Sequence, residues 1–295
     1  MNAMTPNLTP QEGPVPTFDT PEPISATIDI VGGDVRIGAG ERGTTTVTVA
    51  PTDPDNPEDR KAAEQTRVEY NEGHLLVKQP KLRAWLPRHS GGQIDVTVEL
   101  PAGSQVHGGA ALADFQTDGP LGRTRITTGL GHIRVDEAET LALKSGLGDI
   151  TVERATGHAD VTTGSGDIRV RELAASAVIK NSNGDTWVGG ANGELRLHAA
   201  NGDIAVDRSQ AGVGAKSSNG DIRLSDVARG SVVLETSLGN LEVGIREGTA
   251  AWLDVRASAG RVVNELEASD APAPSTDKVE VRARTSAGDV LIRRP

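Results

Sequence analysis

The sequence predicts an all-β protein: a two-sided β-solenoid wound from a single chain in 18-residue rungs, preceded by an irregular β-rich part. Three observations carry that prediction. A five-residue phrase (Gly, usually Asp, an aliphatic, any residue, an aliphatic) recurs from Gly131 to Val243. Its second residue falls at 132, 149, 167, 185, 203, 221 and 240, so the steps are 17, 18, 18, 18, 18 and 19. A fixed period of that length marks stacked units, none of which buries its apolar face alone. Within each phrase apolar and polar residues alternate, as in a strand with one face buried. Aromatic residues make up only 2% of the chain while Gly numbers 35, which suits a core one side chain thick.

Each repeat holds two strands and two turns. Ile133, Ile150, Ile168, Ile204 and Ile222 point inward, followed two residues later by Val135, Val152, Val170, Val206 and Leu224. A second alternation precedes each Asp by eight and six residues: Leu141 and Leu143, Ala159 and Val161, Ala177 and Ile179, Leu195 and Leu197, Val213 and Ala215. Between the strands, Asn183-Gly184, Asn201-Gly202 and Asn219-Gly220 form turns that accept positive φ. These Asn share one repeat position, so their amides are placed to stack as a ladder.

In chain order, residues 1–20 are rich in Pro and Thr and read as a disordered tail. Residues 21–120 form the N-terminal β-rich part of the stack. There Ile24 to Ile30 alternates as a strand, and Gly33-Asp34-Val35-Arg36-Ile37 states the repeat phrase early. Thr44 to Val49 is β-prone, and Asn56 with Pro57 opens a short helix through Glu64. Arg67 to Tyr70 and His74 to Lys78 flank Asn71-Glu72-Gly73 as a hairpin, and Pro80 to Gly92 is a loop. Ile94 to Leu100 is a clean amphipathic strand, and Gly103 to Gly122 supplies irregular rungs. Residues 121–295 are the regular solenoid. It is interrupted by a polar insertion near 267–278, with Trp252 to Val263 as one rung and Val279 to Ile292 as the last. Arg293-Arg294-Pro295 then places charge and a proline where they discourage another strand from adding to the open edge.

The net charge of −11 argues against a general nucleic-acid binder and against an anionic membrane surface. The chain has no cysteine, which excludes disulfides and thiolate metal sites. No basic-then-apolar leader and no run of about 18 apolar residues occurs, so a cytoplasmic protein is expected.

Two columns invite a chemical reading. Asp149, Asp167, Asp185, Asp203 and Asp221 stack on successive rungs about 4.8 Å apart. The second turn of each unit lacks the Asp that a calcium β-roll needs. Arg134, Arg169 and Arg223 stand two residues on, so pairing with Arg and turn hydrogen bonds account for the column without a metal. Five residues before each Asp runs a basic column of Lys144, Lys180, His198 and Lys216, with Arg284 and Arg256 beyond and Thr162 and Glu235 interrupting. Such a row either tracks a polyanion or is a solvated sheet face. Gly38-Ala39-Gly40-Glu41-Arg42-Gly43 matches a dinucleotide-loop spacing but leads into β rather than helix, so no cofactor is expected. The six His show no paired metal-ligand spacing. Trp187 holds an outward place that Arg occupies in other rungs, beside Gly189 and Gly190, and Trp85-Leu86 lies on a loop. With Lys144, Lys180 and Lys216 these are the candidate partner contacts.

The Gly-Asp-Ile-x-Val repeats, Pro21-Glu22-Pro23-Ile24, the stretch from Glu64 to Tyr70 and the closing Thr285-Ser286-Ala287-Gly288-Asp289 resemble a bacterial β-strand-repeat family common in actinobacteria. That family carries the labels adhesin and toast-rack domain and is of unknown function. The resemblance spans about residues 17–295. It implies surface display through the adhesin label and brings no catalytic residues. The expectation is therefore a non-catalytic scaffold or binding module whose partner is a protein or an envelope component, peripheral to a membrane. A carbohydrate-active β-helix enzyme and a surface adhesin are the alternatives.

Overall fold

The structure is a computed structural model that describes residues 15–80, 92–267 and 277–295. Residues 1–14 of the expected tail, and 268–276 of the polar insertion, lie outside the described residues. Its elements begin with β1 (Thr17–Asp19), β2 (Ser25–Gly40), β3 (Thr44–Pro51), α1 (Pro57–Gln65), β4 (Arg67–Asn71) and β5 (His74–Lys78). Next come β6 (Ile94–Pro101), β7 (Gln105–Leu130), β8 (Ile133–Leu147), β9 (Ile150–Ala155), β10 (Ala159–Ser165) and β11 (Ile168–Leu173). The stack continues through β12 (Ala177–Asn183), β13 (Thr186–Ala191), β14 (Leu195–Asn201), β15 (Ile204–Ser209), β16 (Val213–Asn219) and β17 (Ile222–Val227). It ends with β18 (Gly230–Leu238), β19 (Leu241–Ile245), β20 (Ala250–Ala259), β21 (Val262–Asn264), β22 (Lys278–Ala287) and β23 (Val290–Arg293).

The repeat dictates the winding. Each strand pairs in parallel with the strand one rung away, as Ala159↔Ala177↔Leu195↔Val213 on one sheet and Ile168↔Thr186↔Ile204↔Ile222 on the other. Two parallel sheets thus face each other across the core. Both columns of inward residues read from the sequence are buried, Ile168, Val170, Ile179 and Leu197 among them at 1% exposure or less. Each buried aliphatic stabilises the fold by about 1.5–3 kcal/mol, so many thin layers replace one thick core. Among the described residues no helix is long and apolar enough to cross a membrane.

The N-terminal end of the stack is closed by antiparallel strands. The first long strand, β2, lies inside the stack, between β7 on one side and β5 with β6 on the other. Beyond these, β4 folds back on β5 and β3 on β6, and β1 adds to β3. The expected hairpin turns at Glu72 and Gly73, both with positive φ (48° and 80°). Phe18 and Tyr70, from the two outermost strands, meet with ring centroids 5.1 Å apart, and Val68, Ala62 and Ala63 also pack against the core. Helix α1 starts as expected: Asn56 accepts the Glu58 N–H at 3.0 Å and Pro57 needs no partner for a missing N–H. Buried Asp59 then ties the helix to the start of β6 by accepting the Gln93 N–H at 2.9 Å.

At the other end the structure corrects the expected rung order. β22 pairs with β18 and β23 with β19, while among the described residues β20 pairs only with β22 and β21 only with β23. The last stretch of chain is therefore inserted beneath the rung that precedes it. Arg293 does not guard an edge: it donates to Glu242 Oε1 at 2.8 and 2.6 Å. Arg294 donates to the carbonyls of Ile245, Arg246 and Thr249 at 3.1, 2.7 and 3.2 Å. Among the described residues the outermost rung is β20 with β21, and Trp252, Val262 and Val263 are exposed there.

Candidate functional site

The repeat position five residues before each turn Asp faces outward on the sheet that contains β10, β12, β14 and β16. Register places Lys144, Thr162, Lys180, His198, Lys216, Glu235, Arg284 and Arg256 in one row, in that order. The chain order of Arg256 and Arg284 is thus reversed in space. Over the last five rungs this row forms one wall of an open groove of about 710 Å³. Ser218, Ser237, Ser286 and Ser258, two residues further along their strands, contribute a second row of hydroxyls. The Ser row was not read from the sequence, although its fixed offset of three residues before the turn position marks it.

Electrostatics in the groove are partly self-balanced. Lys216 Nζ lies 2.7 Å from Glu235. Arg256 and Arg284 share Asp254 at 3.3 and 3.5 Å. All three cations keep more than half of their side-chain surface exposed, so each retains donors for a ligand. Cations outnumber carboxylates in this groove although the whole chain carries −11.

The other candidates lie elsewhere. Trp187 is on the opposite sheet, between Arg169 and Ala205 in register, so the fold does not bring it to the Lys row. It is half-buried, with its ring folded onto Gly189: a Cβ there would sit 3.0 Å from Cη2. The glycine the sequence suggested would leave the ring uncovered instead makes room for it. Trp85 and Leu86 lie outside the described residues. Gly38 to Gly43 runs from the end of β2 into the turn before β3, with no helix N-terminus to hold a pyrophosphate.

The Asp column is a hydrogen-bond ladder. Oδ1 of Asp149, Asp167, Asp185 and Asp203 accepts the backbone N–H of the next rung's Asp at 2.8 to 3.0 Å. It then passes from Asp221 to Asn240, from Asn240 to Asp289 and from Asp289 to Arg261, which retraces the reordered rungs. Pairing with Arg is a minor part: Arg169 reaches Asp167 at 3.0 Å, but Arg223 turns to Glu242 at 3.6 Å. The Asn ladder forms between Asn201 and Asn183, at 3.0 Å. Among the described residues no group of three or more His, Asp or Glu converges as a metal site.

A third column was missed. Four residues before the turn position, Ser145, Thr163, Asn181, Ser217, Thr236 and Thr285 are buried. Each donates to the carbonyl of the turn glycine one rung away, at 2.9 to 3.4 Å. This column fixes the turns from inside while the Asp ladder fixes them from outside.

No curated protein matches the chain. The solved structures to which the chain is similar, at low identity, include three. One, described as a "putative lipid binding protein" from Parabacteroides distasonis, has 12% identity and a TM-score of 0.44, covering 94% of this chain and 96% of that one. A "putative adhesin" from Parabacteroides merdae has 11% identity and a TM-score of 0.39, covering 95% of each chain. A "putative cell adhesion protein" from Clostridium sporogenes has 11% identity and a TM-score of 0.27, covering 96% of this chain and 99% of that one. The family described as Toastrack DUF4097 matches residues 25–293, and this chain belongs to it.

Proposed function

We propose that this protein is a non-catalytic binding module that offers its basic, hydroxyl-lined groove to a phosphodiester-bearing component of the cell envelope. The observation behind this reading is the juxtaposition of Lys216, Arg284 and Arg256 with Ser218, Ser237, Ser286 and Ser258 along one open groove of about 710 Å³. Ammonium and guanidinium groups beside hydroxyls suit phosphate oxygens, the guanidinium by a planar fork and the hydroxyl as a neutral donor. Parallel rungs repeat these donors about every 4.8 Å, which favours an extended anion over a single small one. The net charge of −11 opposes approach from a distance. Physiological salt screens that repulsion beyond about 8 Å, so the local cations govern contact.

Among the described residues Glu235 is the one carboxylate lining the groove, and Lys216 holds it at 2.7 Å. A glycoside hydrolase of the usual kind needs two carboxylates flanking the bond, which weighs against the carbohydrate enzyme. The experiment is co-sedimentation with phosphatidylcholine vesicles, with and without phosphatidylglycerol, beside pull-down on a glycerol-phosphate polymer. Retention on the polymer alone identifies a wall polymer, and retention on the anionic vesicles alone identifies a headgroup. Either should weaken at least tenfold in Lys216→Ser/Arg284→Ser and fall with added salt. Failure to bind any of these probes, or binding indifferent to that variant, sinks the reading.

A further inference from the structure

The two ends of the stack are built differently. Phe18, Tyr70 and α1 pack over the N-terminal end, whereas among the described residues no strand lies beyond β20 and β21 at the other. Edge strands of soluble proteins are commonly blunted by Pro, Lys, a bulge or a short length. β20 is ten residues long and carries neither Pro nor Lys. Its inward residues Leu253 and Val255 are only half-buried, whereas the equivalent Val281 and Ala283 one rung below are fully covered. Arg293 and Arg294 are tied down one rung beneath this edge and do not guard it.

We propose that this open rung pairs with a second copy of the chain, joining two solenoids end to end about a two-fold axis with β20 antiparallel to its counterpart. The sequence of β20 is self-complementary in one register. Centred on Val255, it sets Asp254 opposite the partner's Arg256 and Arg256 opposite the partner's Asp254, so the only charges on the strand meet as two ion pairs. The same register sets Leu253 opposite the partner's Ala257 and the two Val255 side chains against each other. Trp252, 57% exposed in the protomer, falls opposite the partner's Ser258. A two-fold contact uses the same patch on both copies, so forming it consumes the edge of each. Assembly therefore stops at the dimer instead of running on as a filament. The proposal does not rest on the groove reading: Arg256 lines the groove as well, but the dimer contact is the edge of β20 and needs no ligand.

Sedimentation velocity of the full chain at micromolar concentration should show a dimer. Val255→Lys brings two ammonium groups together at the axis, and Arg256→Asp sets like charges opposite each other. Each should weaken the dimer at least tenfold while leaving the circular dichroism spectrum unchanged. The chain has no cysteine, so Val255→Cys introduces a single thiol that mild oxidation should join to its own counterpart. Trp252→Cys should not cross-link, because its counterpart lies six residues along the strand, roughly 20 Å away. A wild-type chain that stays monomeric overturns the proposal. So does a dimer unaffected by both charge variants, or one that cross-links through Trp252→Cys as readily as through Val255→Cys.

Discussion

The backbone N–H of Asp221 donates to Oδ1 of Asp203 across adjacent rungs at 2.8 Å, and this one contact explains most of the Asp column. At the first position after the turn glycine the carboxylate takes the place of a missing backbone acceptor for the neighbouring rung. Asn240 does the same for Asp289 at 2.9 Å, so the role requires an oxygen and not a charge.

Asp203→Asn should therefore leave stability within about 0.5 kcal/mol of wild type, since the acceptor is kept and a like-charge contact with Asp185 and Asp221 is relieved. Asp203→Ala should cost about 1 kcal/mol by stranding the Asp221 N–H. Urea denaturation of the two variants separates these outcomes. Equal losses in both would mean that the charge itself matters and would reopen a cation at this column.

The turn glycine is constrained twice. Gly202 has φ of 137°, and a Cβ on it would lie 2.1 Å from the carbonyl oxygen of Gly184. Gly202→Ala should cost upwards of about 3 kcal/mol, since neither the backbone of the rung below nor the φ angle can yield. Gly214→Ala, where the nearest heavy atom to a new Cβ is 3.9 Å away, is the matched control and should be neutral or slightly stabilising. Thermal melts of both decide it.

The winding was legible because an 18-residue step with period-two alternation has few other physical solutions. The helix from Pro57 and the hairpin at Glu72 were legible because Asn-Pro and Asn-Glu-Gly carry local turn and cap chemistry. Rung order was not, since a period says which residues are equivalent and not which rung is the outermost. A signal did exist. Asn264 stands where Ile292 and Val243 stand in neighbouring rungs, and a polar residue at a core position is tolerated at an edge. The insertion near 267–278 also breaks the tether of fixed length, leaving Val279 to Ile292 free to enter one rung lower. The groove was half legible: its cations were read from one column, whereas the hydroxyls joined them only once strand direction and register were known.

Acid should act in opposite senses at the two ends of the Asp row. Asp34 stands in register with Asp95 and Asp114, and its carboxyl is held above the ordinary carboxylate value by burial first and by those two charges next, against Arg36. A raised value means that the fold prefers the protonated group. The penalty is present above the raised value and is relieved as pH falls through it. Asp34→Asn should thus stabilise the protein at neutral pH, by about 0.2–1 kcal/mol for opposed like charges, and the gain should vanish in acid. Asp289 is held below the ordinary value, chiefly by the Arg261 backbone N–H and then by its guanidinium. Its contribution is present above the unfolded value and is lost as pH falls through the lowered one. Melts of Asp34→Asn and Asp289→Asn across the acid range should diverge from wild type in opposite directions at neutral pH. Parallel shifts would show that register does not set these interactions.

The interior hydroxyl column contains a compensated defect that a double-mutant cycle can expose. In most rungs the turn-glycine carbonyl is served by a donor from the following rung, as Thr163 Oγ1 serves Gly148 at 3.0 Å and Ser217 serves Gly202 at 3.4 Å. The carbonyl of Gly184 would be served from position 199, but that residue is alanine. Asn181 covers the gap: its Nδ2 donates both to Gly166 at 3.0 Å, the column's ordinary bond, and to Gly184 at 2.8 Å. The arrangement leaves its own Oδ1 buried without a partner. Asn181→Thr should keep the first bond and lose the second, for a loss of about 1 kcal/mol, because the orphaned oxygen moves from the side chain to the Gly184 carbonyl and one hydrogen bond disappears. Ala199→Ser alone should be close to neutral, since the carbonyl it would serve already has a donor. Together, Asn181→Thr/Ala199→Ser restores the pattern of the other rungs and removes the unpartnered Oδ1, so the double variant should be at least as stable as wild type. The coupling between the two sites is then about 1 kcal/mol or more in urea denaturation. Strict additivity would show that Asn181 and Ala199 do not share the Gly184 carbonyl.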